Sequence, residues 1–381
     1  MREFIIIHHE PLTRKIKRNF FIDELINKGV KVQYWSVDKL IFGKPIKLID
    51  ELSENYVTVF SSFSQLEYQI RLNRDAIFLL EFQTTIRSVE IMKLLSGYRC
   101  IVSRIAIHST INLSTKEKIQ NVRNYGFNKL KIYFENIFPN IVSKILFRIY
   151  RLNNVDIFYY CGEASLNQWN AKKKIPVNSF DYEDYLTRTE KVSRTEKKYA
   201  IFLDEYLPYH PDIQIWGKQK LTPEKYYNAL NDFFDKLESK YGIEVIIAAH
   251  PKSDYEQSKF SYRKIVKYKT PELVKYCEFV IAHDSMSISF PVLNYKPIYF
   301  VYTEEFYNMG TSTLTYVKKN ARLLGQPLIN LDKKYIIESY RYDKIKYDKY
   351  KYLYLTSKDA EKKMTSDIIY TSIIDYDMLI K

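Results

Sequence analysis

Two α/β domains, each built on a parallel sheet, are the fold class that this sequence predicts. Three observations predict it. Short apolar runs alternate with helical patterns along most of the chain, which is the signature of βαβ units. A polar, charged stretch without apolar periodicity, YEDYLTRTEKVSRTEKKY at 182–199, divides that alternation into two series of similar size. The length, 381 residues, suffices for two domains, and a composition of 46% hydrophobic and 27% charged residues is globular.

The first series opens with REFIIIH as a strand. Residues 14–28, RKIKRNFFIDELINK, read as one basic amphipathic helix stopped by Gly29. Strands follow at VKVQYWS (30–36), VTVFSS (57–62), AIFLLE (76–81), RCIVSRI (99–105) and VDIFYYCG (155–162). The second series reads YAIFLDE (199–205), a helix near 223–240, IEVIIAAH (243–250), a short helix near 271–276, FVIAH (279–283), a helix from about 285, and PIYFV (297–301). The expected domains are 1–185 and 199–355. The C-terminal stretch is rich in Tyr and Lys (YRYDKIKYDKYKYLYL), and 356–381 is expected to be a terminal helix that crosses back to the first domain.

A net charge of +14 points to an anionic partner: nucleic acid, an anionic membrane face or a phosphorylated substrate. Lys and Arg are interleaved with acids along the chain, which speaks against a nucleic-acid stripe. Residues 125–154 mix Phe, Ile, Leu and Tyr with Lys129, Lys131, Lys144, Arg148 and Arg151, and Pro139 is expected to split them into two helices. They fit either an anionic membrane surface that carries lipid-linked acceptors or ordinary packing on the first domain. The three cysteines, Cys100, Cys161 and Cys277, form no Cys-x-x-Cys pair, so neither a disulfide framework nor a zinc site is expected. The apolar run in MREFIIIHHEP is short enough for a first strand rather than a signal peptide, and no window has the ~18 apolar residues of a membrane span. The expected setting is the cytoplasm, with a peripheral place on the inner membrane if 125–154 lies on it.

The sequence holds no G-x-G-x-x-G, no Walker loop, no H-E-x-x-H and no G-x-S-x-G. Asp375-Tyr376-Asp377 falls in the C-terminal helix and follows no strand. Neither a metal nor a bound cofactor is therefore expected, and any phosphate must be held by other means.

Four segments place polar groups where a strand ends, the usual ligand edge of open α/β sheets. IFLDEYLPYHPD (201–212) presents Asp204 and Glu205, followed by His210 and Asp212. A carboxylate there serves either as a general base or as a turn cap. AAHPKSD (248–254) presents His250 on a loop fixed by Pro251, with Lys252 adding charge. FVIAHDSMSISF (279–290) ends a strand in His283 and Asp284, and Ser285 and Ser287 open a helix, a setting suited to phosphate. VYTEEFYN (301–308) offers Glu304 and Glu305, for ribose hydroxyls or for solvent.

His-Pro, followed by a strand, a Ser-x-Ser helix start and KPIYFV, resembles the donor half of GT-B glycosyltransferases over about 199–330. The resemblance implies two Rossmann-like domains facing across a cleft. Among these enzymes the motifs are most similar to bacterial sialyltransferase-like proteins. That likeness implies inverting, metal-independent transfer of an ulosonate from a CMP donor to a glycan acceptor, in lipopolysaccharide or capsule synthesis. His250, Pro251 and Lys252 would meet the leaving phosphate with Ser285 and Ser287, while His283, Asp284 and Glu304 would line the donor. Met286 separates the two serines here. The family's Asp-Asp/Glu-Gly motif is absent, so the base is open among Asp204, Glu205 and Glu81, the last lying in IFLLEFQTT. The same motifs also resemble teichoic-acid glycerophosphate polymerases, which use CDP-glycerol. A UDP- or GDP-sugar transferase and a non-catalytic glycan-binding protein are the remaining alternatives.

Overall fold

The computed structural model describes residues 2–48, 50–82, 85–107, 141–143, 145–150, 152, 154–188, 197–210, 221–309 and 313–379. These fall into two compact units. Unit 1 gathers the described parts of 2–107, 141–180 and 356–379; unit 2 gathers those of 181–355.

Unit 1 is a parallel sheet of seven strands: β1 (Phe4–His8), β2 (Val32–Ser36), β3 (Val57–Val59), β4 (Ile77–Glu81), β5 (Ile101–Ala106), β6 (Asn154–Cys161) and β7 (Asn170–Val177). Their order is β3-β2-β1-β4-β5-β6-β7. Both faces are covered, so its central strands are apolar throughout, as parallel sheets require. Ile5, Ile7, Phe78 and Leu80 face Leu66, Ile70, Val89 and Leu95 from the helices Phe63–Leu72 and Ile86–Gly97. Phe4, Ile6, Ile77 and Leu79 face Ile16, Ile22, Leu25, Ile369 and Ile373 on the other side. The helix Thr365–Ile374, near the chain's end, is thus part of this core.

Unit 2 is a parallel sheet of six strands: β8 (Tyr199–Leu203), β9 (Glu244–Ala249), β10 (Ile265–Lys267), β11 (Val280–Ala282), β12 (Ile298–Tyr302) and β13 (Leu328–Asn330), in the order β10-β9-β8-β11-β12-β13. The helix Pro223–Tyr241 turns Tyr226, Tyr227, Leu230, Phe233, Phe234 and Leu237 onto the sheet, an apolar stripe of helical period. Pro223 suits its first turn, and Gly242 ends it at φ 61°, where a side chain would be strained. Burying each of these large side chains contributes about 1.5–3 kcal/mol.

Several expectations need correction. The helix expected over 14–28 is two, Arg14–Asn19 and Ile22–Asn27, broken at a left-handed Phe21 that lets Phe20 and Phe21 both bury. β7 was not expected, because NAKKKIPV is a lysine-rich edge strand, and β10 is too short to stand out. The helix Phe180–Thr187 occupies the start of the polar stretch at 182–199, and 189–196 lie outside the described residues. The terminal helix expected over 356–381 is shorter, Thr365–Ile374, and Asp375 separates it from Tyr376–Leu379. Most of 125–154, Pro139 included, lies outside the described residues; 141–143 and 145–149 are helical. Cys100, Cys161 and Cys277 are buried and unpaired with one another. Among the described residues, no helix is long and apolar enough to cross a membrane.

Candidate active site

Each sheet has one place where successive strands depart in opposite directions, between β1 and β4 in unit 1 and between β8 and β11 in unit 2. Such switch points open a crevice at the carboxyl ends of the strands, and ligands bind there. In unit 2, Leu203 is level with both Ala248 and Ala282, so Asp204 and Glu205, His250, and His283 to Ser285 all emerge at one edge.

Asp204 is buried and its two oxygens are occupied. The backbone N–H of Tyr206 donates to Oδ1 at 3.0 Å, and that of His250 to Oδ2 at 3.1 Å. The Tyr255 hydroxyl lies 2.9 and 3.0 Å from the two oxygens. Burial nevertheless pushes its pKa up against these donors. A base candidate by sequence, Asp204 therefore acts as the clamp that holds the His250 loop to β8.

His250 follows β9 directly. The Lys252 N–H donates to its Nδ1 at 3.2 Å, so the proton of the neutral ring sits on Nε2. Ser253 closes the turn by donating from its hydroxyl to the His250 carbonyl at 2.7 Å. The His210 ring packs edge-on at 5.0 Å, Lys252 is exposed, and Asp212 lies outside the described residues.

Glu205 and Asp284 form an acid pair across the switch point. The Asp284 N–H donates to Glu205 Oε1 at 2.7 Å, and Asn320 Nδ2 donates to Asp284 Oδ1 at 3.2 Å. Burial holds both carboxyls well above the usual range, helped by the Asp204 charge beside Glu205 and by the Glu205 charge beside Asp284, so the pair keeps a proton at neutral pH. Sequence reasoning named both residues, but their pairing follows from β8 and β11 being neighbours.

His283, expected to bind the donor, is instead a core residue. It is fully buried. Its Nδ1 lies 2.6 Å from the Val301 carbonyl, which only accepts, so that nitrogen carries the proton and Nε2 accepts from the Tyr226 hydroxyl at 2.8 Å. Burial lowers its pKa to about 4. Ser285 spends its hydroxyl on the Ser287 N–H at 3.2 Å, and the helix they open is one 3-10 turn, Met286–Ile288, followed by Ser289–Leu293. A helix this short adds little dipole. Glu304 is half-exposed and pairs with Lys333 at 2.9 Å, and Glu305 caps the helix Pro223–Tyr241 through Thr222.

In unit 1, His8 of β1 is level with Glu81 of β4, and a cavity of about 680 Å³ opens beside them. Desolvation raises the Glu81 pKa to about 7, against the pull of Arg104. His8 is kept neutral by burial and by the stacked His9 ring, and its Nδ1 accepts from the Glu10 N–H at 3.0 Å. His8, Arg104 and Trp169 were missed from the sequence. A charged residue in the middle of an apolar strand, SRIA, was the available signal for Arg104. Among the described residues no group of three or more His, Cys, Asp or Glu is placed to hold a metal ion.

No family profile and no curated protein sequence matches this chain. Solved structures do. A variant of the wall teichoic acid polymerase TagF aligns with a TM-score of 0.50 and 12% identity, over 99% of this chain and 90% of that one. The UDP-GlcNAc 2-epimerase of Methanocaldococcus jannaschii, in complex with UDP-GlcNAc and UDP, gives 0.44 and 12% over 99% and 100%. The Photobacterium sp. 2,6-sialyltransferase, with CMP and lactose, gives 0.43 and 11% over 87% and 78%. The TagF alignment establishes architecture: this chain has the two Rossmann-like α/β domains of the GT-B fold.

Proposed function

We propose that this chain is a glycosyltransferase that takes a nucleotide-linked sugar on unit 2 and its acceptor on unit 1. The observation that carries this reading is the set of groups at the unit 2 switch point: an Nε2–H histidine on a clamped loop beside a carboxyl pair that retains a proton. Such groups suit a departing phosphate. His250 and Lys252 neutralise its charge, the Met286 N–H and the Ser285 and Ser287 hydroxyls donate to it, and the carboxyl pair, by holding a proton, presents less negative charge to repel it. Asp284 thereby lines the donor site, and Pro251 fixes the loop.

Glu81 is the assigned base. A carboxylate titrating near 7 is matched to taking a proton from a sugar hydroxyl at neutral pH. The acceptor oxygen then attacks the anomeric carbon, the bond from that carbon to the phosphate oxygen breaks, and the nucleotide leaves with the bonding electrons. Attack from the opposite side inverts the centre. The motifs His250-Pro251 and Ser285-Met286-Ser287 favour a CMP-linked ulosonate as donor and bacterial surface polysaccharide as the product.

The test is a thermal-shift and calorimetric panel of CMP, CDP, UDP and GDP, with and without EDTA, on the wild type and His250→Ala. A CMP shift that persists in EDTA and is lost in the variant supports the reading. Preference for CDP supports glycerophosphate transfer instead, and preference for UDP or GDP another sugar donor. No nucleotide binding at all overturns the transferase reading in favour of a glycan-binding protein.

A further inference from the structure

Arg104 stands in the interior of β5 with only 4% of its surface exposed. Its guanidinium carbon lies 4.7 Å from the centre of the Phe82 ring and 4.5 Å from that of Trp169. Nη1 donates to the Phe82 carbonyl at a long 3.4 Å. Nε and Nη2 are buried and have no hydrogen-bond partner. These two atoms share one edge of the guanidinium, the edge whose parallel N–H groups fit two oxygens of a carboxylate or phosphate. An unbonded buried donor is costly, and a charged one more so. The same side chain lines the 680 Å³ cavity at the unit 1 switch point, with His8, Lys15 and Glu81 on its walls. That volume suits a sugar-sized ligand.

We propose that this cavity binds an acceptor bearing an oxyanion, a carboxylate or a phosphate, through the Nε–Nη2 edge of Arg104. The acceptor role rests on the transferase reading above; the binding itself does not. Phe82 and Trp169 fix the guanidinium plane, so the fork is preorganised and little entropy is lost when the anion arrives. Glu81 then meets a hydroxyl of the same ligand, and substrate choice follows from charge: neutral glycans leave the Arg104 edge unbonded.

The test uses the full chain at physiological salt, titrated with glucuronate as carboxylate probe and glycerol 1-phosphate as phosphate probe, against glucose and glycerol. Calorimetry reads binding, and Trp169 emission reports the site, with Trp169→Phe as optical control. Saturable binding of one anion and not of its neutral partner, weakened tenfold or more in Arg104→Gln, is the expected result, and the stronger anion names the group. Arg104→Lys keeps the charge but loses the paired edge, so it too should bind several-fold more weakly; it replaces the Gln variant if that one fails to fold. Equal binding of glucose and glucuronate, or anion binding untouched in both Arg104 variants, overturns the proposal. CMP titrated into the same samples reads unit 2 separately, so loss of nucleotide binding is not mistaken for failure here.

Discussion

Asp204→Asn separates a clamp from a base. The carboxylate takes hydrogen bonds from two backbone N–H groups, of Tyr206 and His250, and from the Tyr255 hydroxyl. An amide supplies one oxygen. It can keep either N–H, and its NH2 then faces the other, donor against donor. The Tyr255 hydroxyl can turn to accept. One buried N–H is thus left unmatched, at a cost of about 1–3 kcal/mol. Part is returned because a neutral amide avoids the desolvation that pushes the Asp204 pKa up. The net expectation is a loss of about 1–2 kcal/mol, a fall of roughly 2–8 °C in the melting temperature of a unit this size. The second consequence is functional: the loop of His250 loosens and nucleotide affinity drops. Urea unfolding measures the first and calorimetry the second. In a double-mutant cycle with His250→Ala the binding losses should be strongly non-additive, because Asp204 acts through His250. Stability within about 0.5 kcal/mol of wild type, or additive binding losses, would refute the clamp.

Tyr226→Phe removes the donor to the buried Nε2 of His283, and should cost about 1–3 kcal/mol in urea unfolding while leaving nucleotide affinity near wild type. Glu205→Gln removes half of the acid pair. Because the folded values are raised, the pair's share of stability is fully present below about pH 4 and is lost as pH rises through them. The Gln variant should therefore gain about 1–2 kcal/mol over wild type at pH 8–9 relative to pH 5, read from paired melts; identical pH profiles would remove the argument that a buried, raised Glu205 carboxyl sits here. Arg263→Ala breaks a half-buried fork on Glu238, 3.1 Å from Nε to Oε1 and 2.7 Å from Nη2 to Oε2, that ties the helix Pro223–Tyr241 to the turn before β10. Glu238 keeps about a quarter of its side chain exposed and can turn to water, so the cost should be about 1.5–3 kcal/mol in urea unfolding.

The central strands were legible because a parallel sheet buried on both faces writes itself as an apolar run: FIIIH, IFLLE, YAIFL and EVIIAA each align with a strand. Edge strands carry no such mark, and Lys172 to Lys174 disguise β7. The break at Phe20-Phe21 was hidden because two consecutive aromatics fit a helical stripe and a turn equally well. At the site, the acids and His250 were legible as polar residues that end strands. Their partnerships were not, because strand order decides which ends meet: Glu205 finds Asp284, and His8 finds Glu81. His283 shows the limit from the other side. A histidine after a strand looks like a ligand until Tyr226, far away in sequence, satisfies its ring.

The helix Thr365–Ile374 sets an order of events during synthesis. Ile369, Ile373 and Tyr376 close one face of the sheet that begins at Phe4, so the first unit begun is the last one finished. A ribosome adding ~5–20 residues per second needs about 10–35 s to make the roughly 175 residues between Phe180 and Thr356. Throughout that interval the face holding Phe4, Ile6, Ile77 and Leu79 has Ile16, Ile22 and Leu25 from the early helices over it but lacks the rest of its cover, a window in which a holding chaperone has something apolar to grip. Emergence of the helix Thr365–Ile374, rather than of the first strands, is then what commits the N-terminal unit to its native state.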